Sequence, residues 1–503
     1  MLRTRGSSGL VVGLVLAVAS VAVASPYSDL VLGDKPIRYY RLGEASGATA
    51  YDASATGANG TYRNLAASAY GQTGALVGDA DTCVLLDGSN DYIDAPDAAD
   101  LRVTGDLTLE LWLNKAYEQG DWTRLVGKGY RPDRTYCLWE ESGAGRRLMF
   151  QQYDNNSDVI NLYSNTEVPL DQWTHAVAVV RGNTCELYVD GKLDATGTRS
   201  RAPSTDSDPL TIGYAGYHGS FPGYIDEVAV YDHAVDAGRI AMHYYAAKGF
   251  AYPDIPVHDG ANAYYRFEDA SSADGATAAD SADSNPAIYR GNVTFAPGSH
   301  TLGGQAASLD GASYIELPAA PFGAYPTSGN TNAYTLSFET WFKTTEGGGI
   351  LGQRAGGYVP AIYIDPDGKV HASMFWHSSS SRQIVSPEAY NDGGWHHLVN
   401  VYDNGVETLY LDGVTIGSQT YPEVAYSASY QYYLGTVYGP NWPNVPTSWY
   451  YFDGLLDETA IYPIALSEGD VRGHYWAGIP EPTTLTLLGL SLLGLARRRR
   501  RRR

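Results

Sequence analysis

The sequence predicts an all-β protein built as two tandem antiparallel β-sandwiches, each closed by a short helix. Three observations carry this. Apolar runs are short and alternating, and turn residues recur roughly every 8 to 12 positions, the pattern of sandwich strands. The composition agrees, with 56 glycines and 41 tyrosines among 503 residues. The third observation is a repeat. YYRLGEASGATAYD at Tyr39 to Asp52 returns as YYRFEDASSADGATAAD at Tyr264 to Asp280. LLDGSNDYIDAP returns as SLDGASYIELP, LTLELWLNK as LSFETWFK, WTHAVAVVRGNTCELYVDG as WHHLVNVYDNGVETLYLDG, and GYIDEVAVY as GLLDETAIY. Asp87, Trp112, Trp173, Asp190 and Asp226 thereby pair with Asp310, Trp341, Trp395, Asp412 and Asp457, at offsets between 222 and 231 in constant order. That is a tandem duplication.

The units run from Ser28 to Gly249 and from Asp259 to Gly478, each large enough to bury a core. Residues 250–258, with two prolines, read as a short stiff connector. Within a unit, Trp173, His175, Val177 and Val179 share one strand face by period two, as do Trp395, His397, Val399 and Val401. A histidine there is either a ligand or a satisfied core residue. Asp190-Gly191 and Asp412-Gly413 sit where a hairpin of type I′ needs positive φ. In the closing helices Asp236 is a candidate N-cap and Gly249 a stop, and Ser467 with Asp470 forms a near-capping box.

The ends of the chain read as address labels. Arg3 and Arg5, an apolar stretch and the small residues up to Ala24 form a secretory signal peptide over residues 1–24. At the other end Pro480-Glu481-Pro482 precedes 14 uncharged residues, Thr483 to Ala496, and seven arginines. As a helix that segment reaches roughly 21 Å, against a bilayer core of about 30 Å, so it is marginal as a permanent anchor. Its arginines should stay on the cytoplasmic side. Losing both ends takes nine of the 34 basic residues and at most one of 56 acidic ones, so the formal charge falls from −22 to about −30. Such a surface disfavours nucleic acid and anionic membrane, and supplies carboxylates for calcium. The three cysteines, Cys83, Cys137 and Cys185, allow at most one internal disulfide, and small buried residues are an equal reading.

Two resemblances follow from these motifs. The tail, in its order of Pro-Glu-Pro, apolar helix and arginine cluster over residues 480–503, resembles the PEP-CTERM sorting signal. That implies recognition by an exosortase, a membrane cysteine protease. It also implies transient inner-membrane insertion, then release to the surface or extracellular matrix of a Gram-negative-type bacterium. The order W-x-H-x-V, LYVDG, G-x-[IL]-D-E and closing helix, in both units, resembles the concanavalin A-like, laminin-G-like domain of secreted bacterial proteins. That implies two-sheet jelly rolls that bind sugars or proteins, often around calcium.

Candidate sites follow. Calcium needs several oxygen ligands, and Asp52 with Asp226, and Asp280 with Asp457, recur at matching early and late positions, with Asp283 as an extra ligand. The other reading has Asp226 and Asp457 capping a turn or pairing with Arg41 or Arg266. The loops GYAGYHGSFPGY and YGPNWPNVPTSWYY precede the same strand in each unit. Their Tyr214, Tyr217, Tyr224, Tyr438, Trp442 and Trp449 are candidates for stacking on sugars, or for folding onto their own sheet. A retaining glycosidase needs two carboxylates about 5 Å apart; Glu110 and Glu339 in E-x-W supply one each, and Asp226-Glu227 should point to opposite faces. The expectation is therefore a non-enzymatic, exported protein that binds extracellular polysaccharide. A protein-binding adhesin or spacer is the alternative, and a hydrolase with scattered carboxylates the third.

Overall fold

In a computed structural model, the described residues are 26–479 except 119–121, 131, 142–145, 156, 215, 217–219, 300–303, 324–333, 355–360, 374–382, 421–430, 441 and 447. The signal-peptide residue Ala24, the processing residues Pro480, Glu481 and Pro482, the apolar tail helix and Tyr217 lie outside them. Among the described residues no helix is long and apolar enough to cross a membrane.

Each unit is a sandwich of two eight-stranded antiparallel sheets. In the first unit the strand Leu107–Lys115 lies between Trp173–Arg181 and Pro222–Tyr231 at the centre of one sheet. Its alternation decides the layers. Leu107, Leu109, Leu111 and Leu113 point into the space between the sheets, with Val84, Val126, Leu138 and Phe150. Trp112 points the other way, with Val177, Val179 and Tyr231, into a second apolar layer under helices α1 (Pro26–Gly33) and α2 (Ala237–Lys248). Among the described residues no helix packs on the other sheet, which includes Thr123–Tyr130, Asp133–Glu140, Arg147–Asp154 and Ser157–Glu167. The second unit repeats this plan around Thr335–Lys343, whose Leu336, Phe338 and Phe342 enter the core.

The local signals hold. Asp190 and Gly191 have φ of 51° and 80°, Asp412 and Gly413 51° and 72°. The Asp236 side chain accepts from Gly238 N, Gly249 closes α2 at φ 69°, and Ser467 and Asp470 form a reciprocal capping box.

Two expectations change. Residues 250–258 hold helix α3 (Asp254–His258), and Tyr252 reaches into the second unit, where its hydroxyl donates to Glu339 Oε1 at 3.0 Å and accepts from Trp341 Nε1 at 2.8 Å. This stretch is the second copy of α1, whose Tyr27 hydroxyl donates to Glu110 at 3.0 Å. Secondly, Asp226 and Glu227 do not follow period two. A bulge interrupts the register between Asp226 and Ala229, with Glu227 at φ 52°, and both side chains are buried.

The closing helices join the units. A Cβ on Gly238 of α2 would meet the Arg472 Cβ of α4 (Glu468–Gly478) at 2.4 Å, and one on Gly473 would meet the Ala241 Cβ at 2.9 Å. Glycine is what lets the two backbones approach so closely.

Candidate functional site

Each unit buries one acidic residue among histidines and tyrosines. Glu110 accepts from Tyr27 and Tyr231 and contacts His175 Nε2 and His243 Nδ1, each at 2.9 Å; Glu339 has the same set in Tyr252, Tyr462, His397 and His474. All these side chains are buried. Burial alone would raise the carboxyls, but the histidines hold both well below the usual carboxylate range. Burial likewise opposes the histidine charge, yet Glu110 and Asp34 lift His243 to about 9, and Glu339 and Asp259 lift His474 to about 10. These are charged networks that pin the closing helix to its sheet, in which Nδ1 of His175 and of His397 is buried with no hydrogen-bond partner. The histidines are thus core residues.

The surface candidate is aromatic. In the second unit Ile315 and Leu317 face the core, so Tyr314 and Glu316 face out; Tyr432 and Leu434 face in, so Tyr433 faces out. The short strands Thr436–Tyr438 and Trp449–Tyr451 pair over this surface. The result is a closed ring cluster. Tyr314 to Tyr433 and Tyr433 to Trp449 are both 5.5 Å, Trp449 to Tyr451 is 6.5 Å, Tyr451 to Tyr314 is 6.3 Å, and Tyr438 sits 5.3 Å from Trp449. All but Tyr433 are half-buried, leaving ring area in solvent. Arg290 pairs with Glu316 at 2.6 Å beside Tyr314, and Gln431 accepts from the Tyr433 hydroxyl at 2.6 Å. Hydrogen-bonding groups thus border an apolar platform.

The expected loop residues part company here. Tyr438 and Trp449 belong to the platform, but Trp442 is 6% exposed against Ala361, Tyr363 and Val437, anchoring its loop. In the first unit Tyr214 packs at a tilt against Tyr92 at 5.0 Å, while Tyr224 lies on the helix-covered sheet beside Trp173 at 6.2 Å. Tyr314 and Tyr433 were missed by the sequence reading, and Tyr451, which ends the candidate loop, was not singled out; the signal for the first two was strand alternation, with tyrosine at outward positions.

The carboxylates expected to pair do not meet a common partner. Asp52 accepts from Tyr39 N, Ser54 N, Thr56 Oγ1 and Ala58 N at 2.7–2.9 Å, and Asp280 from Tyr264 N, Ala282 N and Asn285 N at 2.7–3.1 Å. Both organise their own turns; Asp283 is exposed. Asp457 accepts from Ser299 N and Oγ and from Glu458 N.

Asp226 differs. Its Oδ2 accepts from Ala75 N at 2.8 Å, while its buried Oδ1 has no hydrogen-bond partner. Arg41 gathers the neighbouring acids, reaching Asp79 at 2.7 Å, Glu227 at 2.8 Å and Asp81 at 3.0 Å. Burial, then the charge of Glu227, pushes Asp226 far above the carboxylate range; burial, opposed by Arg41, lifts Glu227 to about 7. Asp79 and Asp81 were not anticipated, since only the bulge brings Glu227 to their arginine. Among the described residues no group of three or more histidine, cysteine or acidic side chains is arranged to hold a metal ion, and Cys83, Cys137 and Cys185 are buried and free.

Comparison with known proteins agrees with the fold. Residues 87–241 and 309–472 match the concanavalin A-like lectin/glucanases superfamily in its laminin-G form, and residues 478–501 match the PEP-CTERM protein-sorting motif. A search of curated proteins finds no match. Similar solved structures include domain 4 of AbnA, an extracellular arabinanase of Geobacillus stearothermophilus, at 25% identity over 43% of this chain and 98% of that one, with a TM-score of 0.31. Mouse laminin α1 domains LG4-5 match at 14% identity over 74% of this chain and 88% of that one, with a TM-score of 0.23. The chain belongs to the concanavalin A-like lectin/glucanase superfamily, as two laminin-G-like domains followed by a motif for export and sorting to the cell envelope.

Proposed function

We propose that this is an exported surface or matrix protein that binds extracellular polysaccharide through the second domain. The observation that carries the reading is the five-ring platform of Tyr314, Tyr433, Tyr438, Trp449 and Tyr451 on a rigid sheet, bordered by Arg290, Glu316 and Gln431. Sugar rings stack on aromatic faces while their hydroxyls take hydrogen bonds from bordering polar groups. The reading is of a binder and not a hydrolase: Glu110 and Glu339 are sealed within histidine networks, and Glu316 is tied to Arg290. Processing by an exosortase after a signal peptide and transient inner-membrane insertion completes it, with release at the surface of a Gram-negative-type bacterium.

Calcium belongs to the same reading, in the first domain. Asp226, whose buried Oδ1 has no hydrogen-bond partner, would be its one acidic ligand beside backbone oxygens, since Asp79 and Asp81 are taken up by Arg41. Asp52 is committed to its turn.

The test is glycan binding by the protein, including to its producer's own exopolysaccharide, with Trp449→Ala beside it. Saturable binding weakened by the substitution supports the reading. Binding only to a surface protein would replace it with the adhesin alternative.

A further inference from the structure

We propose that Lys115 and Glu140 condense to an amide that joins the two sheets of the first domain, a covalent cross-link the chain makes from its own side chains. This goes beyond the binding reading above and does not depend on it.

Alternation brings the pair together. Leu107, Leu109, Leu111 and Leu113 of the strand Leu107–Lys115 fill the space between the sheets, and Lys115 is next on that face. Tyr136 and Leu138 of the strand Asp133–Glu140 enter the same space from the facing sheet, and Glu140 follows them. Lys115 Nζ lies 2.6 Å from Glu140 Oε1, and both side chains are fully buried. Glu140 Oε2 accepts from Thr123 Oγ1 at 3.1 Å. Glu118 reaches the amine from the surface, with Oε2 at 2.8 Å from Nζ and its side chain 40% exposed.

Burial decides what this pair can do. Two ions out of water are unfavourable, and desolvation favours the neutral forms. It pushes the Glu140 carboxyl above its ordinary value, against the pull of Lys115. A proton passed from Lys115 to Glu140 leaves an amine against a carboxylic acid, the two groups that form an amide. Nζ then attacks Cδ, and Oε2, held by Thr123, takes the developing negative charge. Glu118 takes a proton from the nitrogen and returns it to Oε1. The Cδ–Oε1 bond breaks, and that oxygen leaves as water on the Glu118 side. The products are one neutral amide and one water, with no change of oxidation state. The fold holds the reacting groups in contact, which replaces an encounter, and the product no longer buries an ion pair.

Two comparable places lack this chemistry. Lys128 is as deeply buried and lies 2.6 Å from Asp97, but the Arg102 bond holds Asp97 down at about 2, so that pair stays ionic. In the second domain Ile364 takes the register position of Glu140, opposite Gly348 as Glu140 is opposite Thr123, and lies in the apolar core. The link therefore belongs to the first domain, whose three cysteines form no disulfide.

The experiment is peptide mapping of the purified, denatured protein by mass spectrometry. Cleavage after Arg124 and Arg134, which stand between the two residues, separates their peptides. The Lys115 and Glu140 peptides should be recovered joined and one water lighter than their sum, with fragmentation placing the bond between these residues. Lys115→Met should return them separately at full mass. Glu118→Gln should slow closure about a hundredfold, read as unlinked peptide in freshly made protein. Separate peptides at full mass from the unaltered protein overturn the proposal, and that result needs no variant to fold. Closure as fast with Glu118→Gln overturns the role given to Glu118. A bond through Lys128 or any other residue overturns the assignment.

Discussion

In the first domain Glu110 is held by Tyr27, His175, Tyr231 and His243, and in the second Glu339 by Tyr252, His397, Tyr462 and His474. One step outward the copies diverge. His243 meets Asp34, which is 19% exposed and also held by Arg239 of the same domain. His474 meets Asp259 at 2.9 Å, and Asp259 is fully buried and bound by Lys192 and by the Tyr245 hydroxyl, both of the first domain. The duplicated cap has become the joint. The surfaces diverge too, with an aromatic platform on the second domain and a carboxylate cluster on the first. Duplication kept the buried charge network, where any single loss strands a charge, and left the solvent-facing sides free to change.

The largest effect expected from that comparison is on stability. His474→Ala removes the imidazolium shared by two fully buried carboxylates, leaving Glu339 with His397 and Asp259 with Lys192, and should cost about 3–5 kcal/mol. His243→Ala should cost less, because Asp34 keeps Arg239 and water; equal losses by chemical denaturation would break the comparison. The pH dependence sharpens it. Both histidines have folded values above the ordinary 6.5, so their stabilisation is complete below about 6.5. It is lost as pH rises through about 9 for His243 and about 10 for His474. Urea titrations between pH 7 and 10.5 should therefore show both domains weakening together at first, the first levelling off near pH 9 while the second goes on losing stability to about pH 10, and a coincident end point would contradict the difference.

On binding, Trp449→Ala should reduce affinity for a neutral glycan by about tenfold, while Tyr92→Ala in the first domain should change it little. Matching losses would mean that the platform is not the distinguishing surface. The smallest effect concerns calcium. Burial raises Glu227 to about 7, so its ionised form destabilises the fold above that pH, and the penalty fades as pH falls toward the ordinary value of 4.5. Added calcium should raise Tm by a few degrees at pH 8 and by less at pH 5, and Asp226→Asn should abolish the shift where Asp457→Asn does not. A shift retained in Asp226→Asn places the ion elsewhere.

The parts of this fold visible in the sequence are those set by local chemistry: alternation in LTLELWLNK, positive φ at Asp190-Gly191, the cap at Ser467. What escaped detection depends on distant pairing. Nothing in FAYPDIPVHD marks Tyr252 as a partner of Glu339, because its proline pair suggests a connector and the contact spans 87 residues. The bulge at Asp226 was invisible to a period-two rule, so Asp79 and Asp81 escaped the candidate site. Asp52 attracted a metal reading because an Asx turn and a calcium ligand use the same residue before the same glycine-rich loop. Trp442 and Trp449 stand seven positions apart in one loop, and only the tertiary fold makes one an anchor and the other a platform.

The seam between α2 and α4 has a mechanical consequence. Because α4 precedes the sorting motif directly, tension applied along the chain at Ile479 enters α4 before any strand. There it meets Arg472 bound to Asp236, Gly473 seated on Ala241, and His474 locked to Asp259. The load is divided between both sandwiches at once, through contacts sheared in parallel and not peeled singly. A pull there would move the pair as one body and keep the spacing of the two domains under drag.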